Sequence, residues 1–230
     1  MSAGREAADL LGATQLFRHL DGELLQGLAA QASRHRYQRG QVIFNEGQPG
    51  IHLLVLVSGA LKLTVTSPVG GELILTVLSR PGDVAGEVSL LDGSSYEASC
   101  EVLQDSEVLV VARESFLSPL KASAEVAEAL CLAMAARLRQ SIQQSSDLAL
   151  LDVQGRLAKV LLGLAERQDQ GPLPFPLTQD DLARMVGTSR VSVNRILRLW
   201  RDRGFLSLDR YHITVREPDV LERLATSYVS

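Results

Sequence analysis

Arg184, Arg190, Arg195, Arg198, Arg201 and Arg203 lie in one stretch of twenty residues opposed only by Asp202, a local charge of +5 in a chain of net charge −4. A focus of one sign points to a polyanionic partner; the plainer alternative is a solvated helix face. The residues between the arginines favour the partner. Val193, Ile196, Leu197 and Trp200 recur at i, i+3, i+4 and i+7, so a helix through them buries that face. At about 100° per residue the opposite face centres on Val191, Arg195 and Arg198, with Asn194 beside them and Arg190 and Ser192 on the N-terminal flanks. A β-branched apolar residue amid exposed arginines does nothing for a core. In a DNA major groove it can touch a thymine methyl, while Arg190 or Arg195 reads guanine O6 and N7 and Ser192 holds a phosphate. A scattered surface valine is the competing account.

Such a helix needs a platform, and the preceding residues encode one. Thr178, Gln179, Asp180 and Asp181 form a capping-box pattern in which Thr178 is the N-cap and Asp181 replaces the usual Glu or Gln. The helix it opens runs through Leu182, Ala183 and Val186 to Gly187. Thr188 or Ser189 then caps the arginine-bearing helix, which reaches Arg203 before Gly204. Helix, short Gly-containing turn and helix make a helix-turn-helix. Phe205 to Leu208 and His212 to Val215 are short β-rich runs that add a wing. The candidate DNA-binding set is Thr178, Ser189, Arg190, Val191, Ser192, Asn194, Arg195 and Arg198.

Upstream the texture differs. The 230 residues are 46% hydrophobic and 22% charged, which describes a soluble globular chain of one or two domains. Up to Leu151 there are eleven Lys and Arg against seventeen Asp and Glu; beyond it, twelve against ten, so the acidity belongs to the N-terminal part. Ala7 to Ala32 reads as a short helical lead-in. Between Tyr37 and Phe116, β-rich stretches at Gln41–Phe44, Leu53–Val57, Leu61–Thr66, Leu73–Leu78, Ala98–Val102 and Glu107–Val111 alternate with Gly, Pro, Asn and Asp turns, predicting an antiparallel barrel or jelly roll. After Pro119 glycine and proline vanish until Gly155, predicting one long helix. Its Leu120, Ala124, Ala127, Cys131, Met134, Leu138, Ser141, Ser145 and Leu148 form a heptad seam, either for a second copy or for the helix's own barrel. Asp152 caps a further helix, Val153 to Gln168, and the Pro-rich stretch 169–176 is a loop.

Other chemistries find little support. Cys100 and Cys131 form no metal-ligand cluster, and Cys131 on the seam reads as a buried free thiol rather than a bridge to its own copy. His19, His35, His52 and His212 are scattered with no evident haem partner, so no metal or cofactor is expected. Ser118 and Lys121 fit S-x-x-K, a chance-level match without companion motifs, and no nucleotide, hydrolase or metalloprotease signature is present, so no catalytic residue is assigned. No signal peptide or membrane-length apolar run is evident, and the expected compartment is the cytoplasm.

Three segments in order carry a resemblance: Gly86 and Glu87 after Pro81-Gly82-Asp83; Leu151-Asp152-Val153-Gln154-Gly155-Arg156 after the long helix; and Val186-Gly187-Thr188-Ser189-Arg190 leading into Val193-Asn194-Arg195-Ile196-Leu197. Over about residues 15–215 the chain resembles the bacterial cyclic-AMP receptor protein and fumarate–nitrate regulator (Crp/Fnr) family. The resemblance implies an α+β architecture. Residues 1–118 would form a cyclic-nucleotide-binding-type β-roll (jelly roll), 119–151 a dimerisation helix, and 152–230 a winged helix-turn-helix. It further implies a homodimer that binds palindromic double-stranded DNA and recruits or blocks RNA polymerase, with 166–175 or a patch on the roll as the polymerase contact.

The same resemblance assigns the effector site. In members that bind cyclic AMP, a Gly-Glu pair and a downstream Arg-Ser pair hold the phosphate. Gly86 and Glu87 match, but Tyr96 and Glu97 stand where the Arg and Ser belong. At ~4 Å and an effective dielectric of about 20, a like-charge contact costs about 4 kcal/mol. A weak or absent cyclic-AMP response is therefore expected, with another small-molecule effector or none. Ser141 and Ile142 fall at the adenine-contacting hydroxyl pair, keeping one hydroxyl of two. Arg190 and Arg195 match the family's base-reading arginines, and Val191 replaces a glutamate, so T is favoured at that base. The alternative function is a cyclic-nucleotide-type regulatory subunit acting through protein contacts.

Overall fold

The computed structural model describes residues 2–18, 20–166, 177–209 and 212–227. The chain divides into two compact units, Met1–Val65 with Leu75–Leu138, and Thr66–Ile74 with Arg139–Ser230.

The first unit is built on a six-stranded sheet. Strands β1 (Ser33–Tyr37), β6 (Ser99–Ala112), β3 (His52–Thr66) and β4 (Glu72–Leu78) lie in that order, with β2 (Val42–Phe44) on β6 and β5 (Val84–Ala85) on β3. Because side chains alternate faces, a run such as Leu53–Leu56 buried at every position needs cover on both sides. Leu54 and Leu56 join Phe44, Leu61, Cys100 and Val108 inside the roll. Leu53 and Val55 face a second core supplied by α1 (Ser2–Ala13), α2 (Gly22–Gln31), α4 (Arg113–Ala122) and α5 (Ala124–Leu150).

The expected barrel is present with longer strands than the turn signals suggested. Leu53–Val57 and Leu61–Thr66 are one strand, as are Ala98–Val102 and Glu107–Val111. The Ser58-Gly59 signal marks a bulge in β3, not a hairpin: the register shifts there, and a Cβ on Gly59 would meet Ser106 Oγ at 2.3 Å. β1, β5 and α3 (Glu87–Asp92) carried no periodic signal long enough to be read. The N-terminal lead-in is two helices, with Asp21 capping the second by accepting from the Leu24 amide at 2.8 Å.

The long helix also differs from expectation. Pro119 lies inside α4, which ends at Ala122, and α5 begins after Ser123. α5 buries Val126, Ala129, Leu130 and Ala133 against the helical core, so the barrel-packing alternative holds for that face. On the seam beside it Cys131, Leu138 and Leu148 are exposed, as are the neighbouring Leu132 and Ile142. Within the single chain the buried thiol is Cys100, pushed up to about 12 by its burial, while Cys131 is exposed on the open seam.

The second unit contains α6 (Val153–Ala165), α7 (Gln179–Val186), α8 (Arg190–Asp202), the antiparallel pair β7 (Leu206–Asp209) and β8 (His212–Val215), and α9 (Pro218–Ala225). Asp152 caps α6 as expected, accepting from the Gly155 amide at 2.7 Å. Leu157, Leu161, Leu182, Val193, Leu197, Trp200 and Leu221 are buried in it. The expected extension of α6 to Gln168 and the loop 169–176 lie outside the described residues, as do Arg210 and Tyr211. α9, unread in the sequence, packs on α6 and starts at Pro218, whose missing N–H costs nothing at a first helical position. Among the described residues no helix is long and apolar enough to cross a membrane.

Candidate nucleic-acid interface and sensor site

The interface is assembled from caps and an amphipathic helix. Thr178 Oγ1 accepts from the Asp181 amide at 3.0 Å while Asp181 Oδ2 accepts from the Thr178 amide at 3.0 Å, so the capping box closes with aspartate in the third position. Gly187 ends α7 at φ +70°, and Ser189, not Thr188, caps α8 by accepting from the Ser192 amide at 3.2 Å. Asn194 Nδ2 donates to Gln179 Oε1 at 2.6 Å and so ties α8 to α7. With Val193, Ile196, Leu197 and Trp200 buried, Arg190, Arg195 and Arg198 are left outward. Val191 is 78% exposed among them.

The arginines divide into two groups. Arg190 meets Asp180 at 3.4 Å, Arg184 meets Glu72 at 3.2 Å and Arg201 meets Asp202 at 2.7 Å. Arg195, Arg198 and Arg203 have no ion-pair partner among the described residues. Arg190 and Asp180 are both solvent-facing, where such pairs are worth about 0–1 kcal/mol, so a phosphate or guanine can displace Asp180.

In the first unit, Gly86 caps α3 at φ +88°; a Cβ there would lie 2.7 Å from the His52 carbonyl and 3.0 Å from the Tyr96 ring. The turn aims Glu87 inward, fully buried, onto an ion pair with Arg137 of α5. Burial holds the Glu87 carboxyl above the usual carboxylate range; Arg137 pulls it down and Glu97 pushes it up. Tyr96 is buried, stacked on Phe44 with ring centroids 3.8 Å apart, its hydroxyl donating to the His52 carbonyl at 3.0 Å. Glu97 Oε2 accepts from Ser89 Oγ at 2.9 Å. The structure thus brings Gly86, Glu87, Tyr96 and Glu97 together around one short helix. Ser141 and Ile142 are exposed on α5.

Arg137 escaped sequence reasoning although a signal existed. It follows Leu130 by seven residues and Ala133 by four, so it occupies the buried stripe of α5. A cation in that position requires a buried anion, and Glu87 is that anion.

A β-roll with a buried acidic turn, joined in one chain to a winged helix-turn-helix bearing an outward arginine face, is the architecture of a transcription regulator. The comparisons agree. Residues 34–123 match the cyclic nucleotide-binding domain model and residues 155–224 the Crp-like helix-turn-helix domain model. The chain is 31% identical over 222 residues to a CRP-like cAMP-activated global transcriptional regulator of Mycobacterium tuberculosis, covering 94% of this chain and 99% of that protein. It is 34% identical over 210 residues to the cyclic AMP receptor protein of Thermus thermophilus, covering 91% and 96%. Among solved structures it resembles FixK2 from Bradyrhizobium japonicum, with TM-score 0.78 and 25% identity over 85% of this chain and 98% of that one. The Thermus thermophilus catabolite activator protein structure matches with TM-score 0.53 and 32% identity over 92% and 98%. The chain belongs to the Crp/Fnr family of transcription regulators and carries its DNA-binding helix-turn-helix and cyclic-nucleotide-binding-type domain. Its relatives are regulators, not enzymes.

Proposed function

We propose that this protein is a cytoplasmic homodimer that reads a palindromic duplex through α8 and acts with RNA polymerase, its sensor domain answering to an effector other than cyclic AMP or to none. The observation that carries DNA reading is the exposure of Val191 between arginines that lack any structural role in the core. Thr178, Ser189 and Ser192 border the phosphates, Arg190 and Arg195 face base edges, and Arg198 tracks the backbone. Asn194 orients α8 through Gln179. Division into a sensor (1–118), a dimerisation helix (119–151) and a DNA-binding domain (152–230) fits this scheme. The exposed Leu138 and Ile142 of α5 supply the apolar surface for pairing, which sets two recognition helices about one duplex turn, roughly 34 Å, apart.

A salt-titrated gel shift with duplexes selected from random sequence tests the reading. Affinity should fall about 1,000-fold between roughly 50 and 200 mM salt for about six phosphate contacts. The selected half-site should place T opposite Val191. Sedimentation should give a dimer for the wild type and a monomer for Ile142→Asp combined with Leu138→Asp. Salt-insensitive binding, an unaltered cyclic-AMP-receptor half-site or a monomeric wild type defeats it, and failure to bind any duplex leaves the protein-contact regulatory subunit standing.

The relatives named as cyclic-AMP-responsive suggest that nucleotide first, but this chain's residues disfavour it. Where the phosphate would need a cation, Tyr96 is stacked into the roll and Glu97 adds a carboxylate near Glu87. Calorimetry with cyclic AMP is expected to give no saturable heat in the micromolar range; a micromolar Kd refutes the degenerate-site reading.

A further inference from the structure

Two histidines remote in sequence line one cavity of the strand roll. His35 of β1 and His52 of β3 both line a cavity of about 490 Å³, within the range of small-molecule sites. Tyr37, Phe44 and Tyr96 supply ring faces to its wall, and Ile51 is exposed at its rim. None of the twelve lining residues is Asp, Glu, Lys or Arg, so a charged ligand would enter without a counter-ion. The rings are already ordered: His35 and Tyr37 stack with centroids 6.3 Å apart, and Phe44 lies 15° from the plane of Tyr96. Flat, fixed ring faces recognise a flat ligand by offset stacking.

The polar groups divide into committed and available. The Tyr96 hydroxyl is held by the His52 backbone, and His35 Nε2 lies 2.9 Å from Ser33 Oγ. Among the described residues the Tyr37 hydroxyl and the His52 ring nitrogens have no hydrogen-bond partner. One hydroxyl, one imidazole and the Gln48 side-chain amide, whose oxygen already accepts from the Asn45 amide at 2.8 Å, suit a ligand with neutral polar substituents on an aromatic frame.

Tyr96 also touches the sensor turn. Its ring is the near neighbour of Gly86, and Gly86 sets the direction of Glu87 toward Arg137. We propose that this cavity binds an uncharged, planar aromatic molecule of one or two rings, and that Tyr96 carries its arrival to the Gly86–Glu87 turn and thence to α5. The cavity shares Tyr96 with the residues matched to the nucleotide position, and the proposal stands whether or not the protein binds DNA.

The probe is 2-naphthol, with naphthalene-2-sulfonate as its charged counterpart, titrated into the full-length protein by calorimetry. One site per chain is expected, with naphthol bound at least about tenfold more tightly than the sulfonate. Ser33→Trp and Ile51→Trp, both at solvent-facing positions of the lining, should each weaken naphthol by about tenfold or more with the melting temperature retained. Amide resonances of His52, Tyr96 and Glu87 in the wild-type protein should shift with the same saturation curve, a readout that does not depend on either variant folding. Absence of saturable naphthol binding below about 1 mM, equal affinity for the sulfonate, unchanged binding in both variants, or shifts confined to other residues overturns the proposal.

Discussion

Replacing Arg137 by methionine should destabilise the protein by about 3 kcal/mol near pH 8, with a much smaller loss near pH 5. The reason is the location of its partner. Glu87 is completely buried, whereas the Arg137 side chain is 36% exposed, so the anion bears the desolvation and the cation relieves it. The lower end of the range for breaking a buried pair applies because Arg137 is partly hydrated. The sign of the pH dependence follows from the raised Glu87 carboxyl. Between the ordinary glutamate value and the raised native one, the folded state holds a proton that the unfolded chain has lost, so stability falls as pH rises. Removing Arg137 takes away the main downward influence and moves the native value higher still. The variant therefore keeps losing stability at pH values where the wild type has levelled off, and below the unfolded value the difference shrinks to lost packing. Adding Glu87→Gln removes the titrating group and should flatten the difference. Urea unfolding across this pH range measures it, and a loss independent of pH, or a slope that survives Glu87→Gln, contradicts the account.

The second large effect concerns α8. Arg195→Ala should weaken binding to the selected duplex by about 10- to 100-fold, equivalent to 1–3 kcal/mol, and relax discrimination at one G·C pair of each half-site. Arg198→Ala should weaken all duplexes similarly and reduce the salt slope by about one. The difference rests on position: both residues are exposed and without an ion pair among the described residues, but Arg195 lies one turn from Val191 while Arg198 lies two turns along α8. Neither supports the core, which is carried by Val193, Ile196, Leu197 and Trp200, so melting temperatures should be unchanged. Binding isotherms on matched and single-mismatch duplexes at two salt concentrations separate the roles. Uniform losses for Arg195→Ala, or base-selective losses for Arg198→Ala, would reverse the assignment.

The arginine pairs qualify the charge argument usefully. Read along the chain, the basic segment is opposed by Asp202 alone; in three dimensions Asp180 and Glu72 also approach it. Asp180 belongs to the first turn of α7, where it also favours the helix N-terminus, so its service to Arg190 is an added role. Within α8 itself Arg195 and Arg198 emerge as the least encumbered cations, with Arg203 at its C-cap, a ranking that composition cannot supply.

Most of the DNA-binding architecture was legible because its determinants are local. A capping box spans four residues, a buried helix stripe repeats every three or four, and Gly187 and Gly204 mark ends by tolerating positive φ. Strand identity was legible too, but strand length was not, because a bulge at Gly59 looks like a turn until β6 pairs along both halves of β3. Helix boundaries around Pro119 failed for a related reason: proline is acceptable in a short helix whose neighbours hold it, and tertiary packing against α2 and α3 overrode the local preference.

By itself, then, the order of residues determined the helix-turn-helix and the wing strands of the DNA-binding half and which side of α8 meets solvent, since these depend on spacings of a few positions, while α9 went unread. Only the tertiary structure decided that Arg137 answers Glu87 across fifty residues, that Tyr96 turns onto Phe44 where a phosphate contact was sought, and that His35 and His52 share one cavity. The last of these arises from pairing β1 and β3 on either side of β6, and the other two from equally long-range packing, whose register no local pattern encodes.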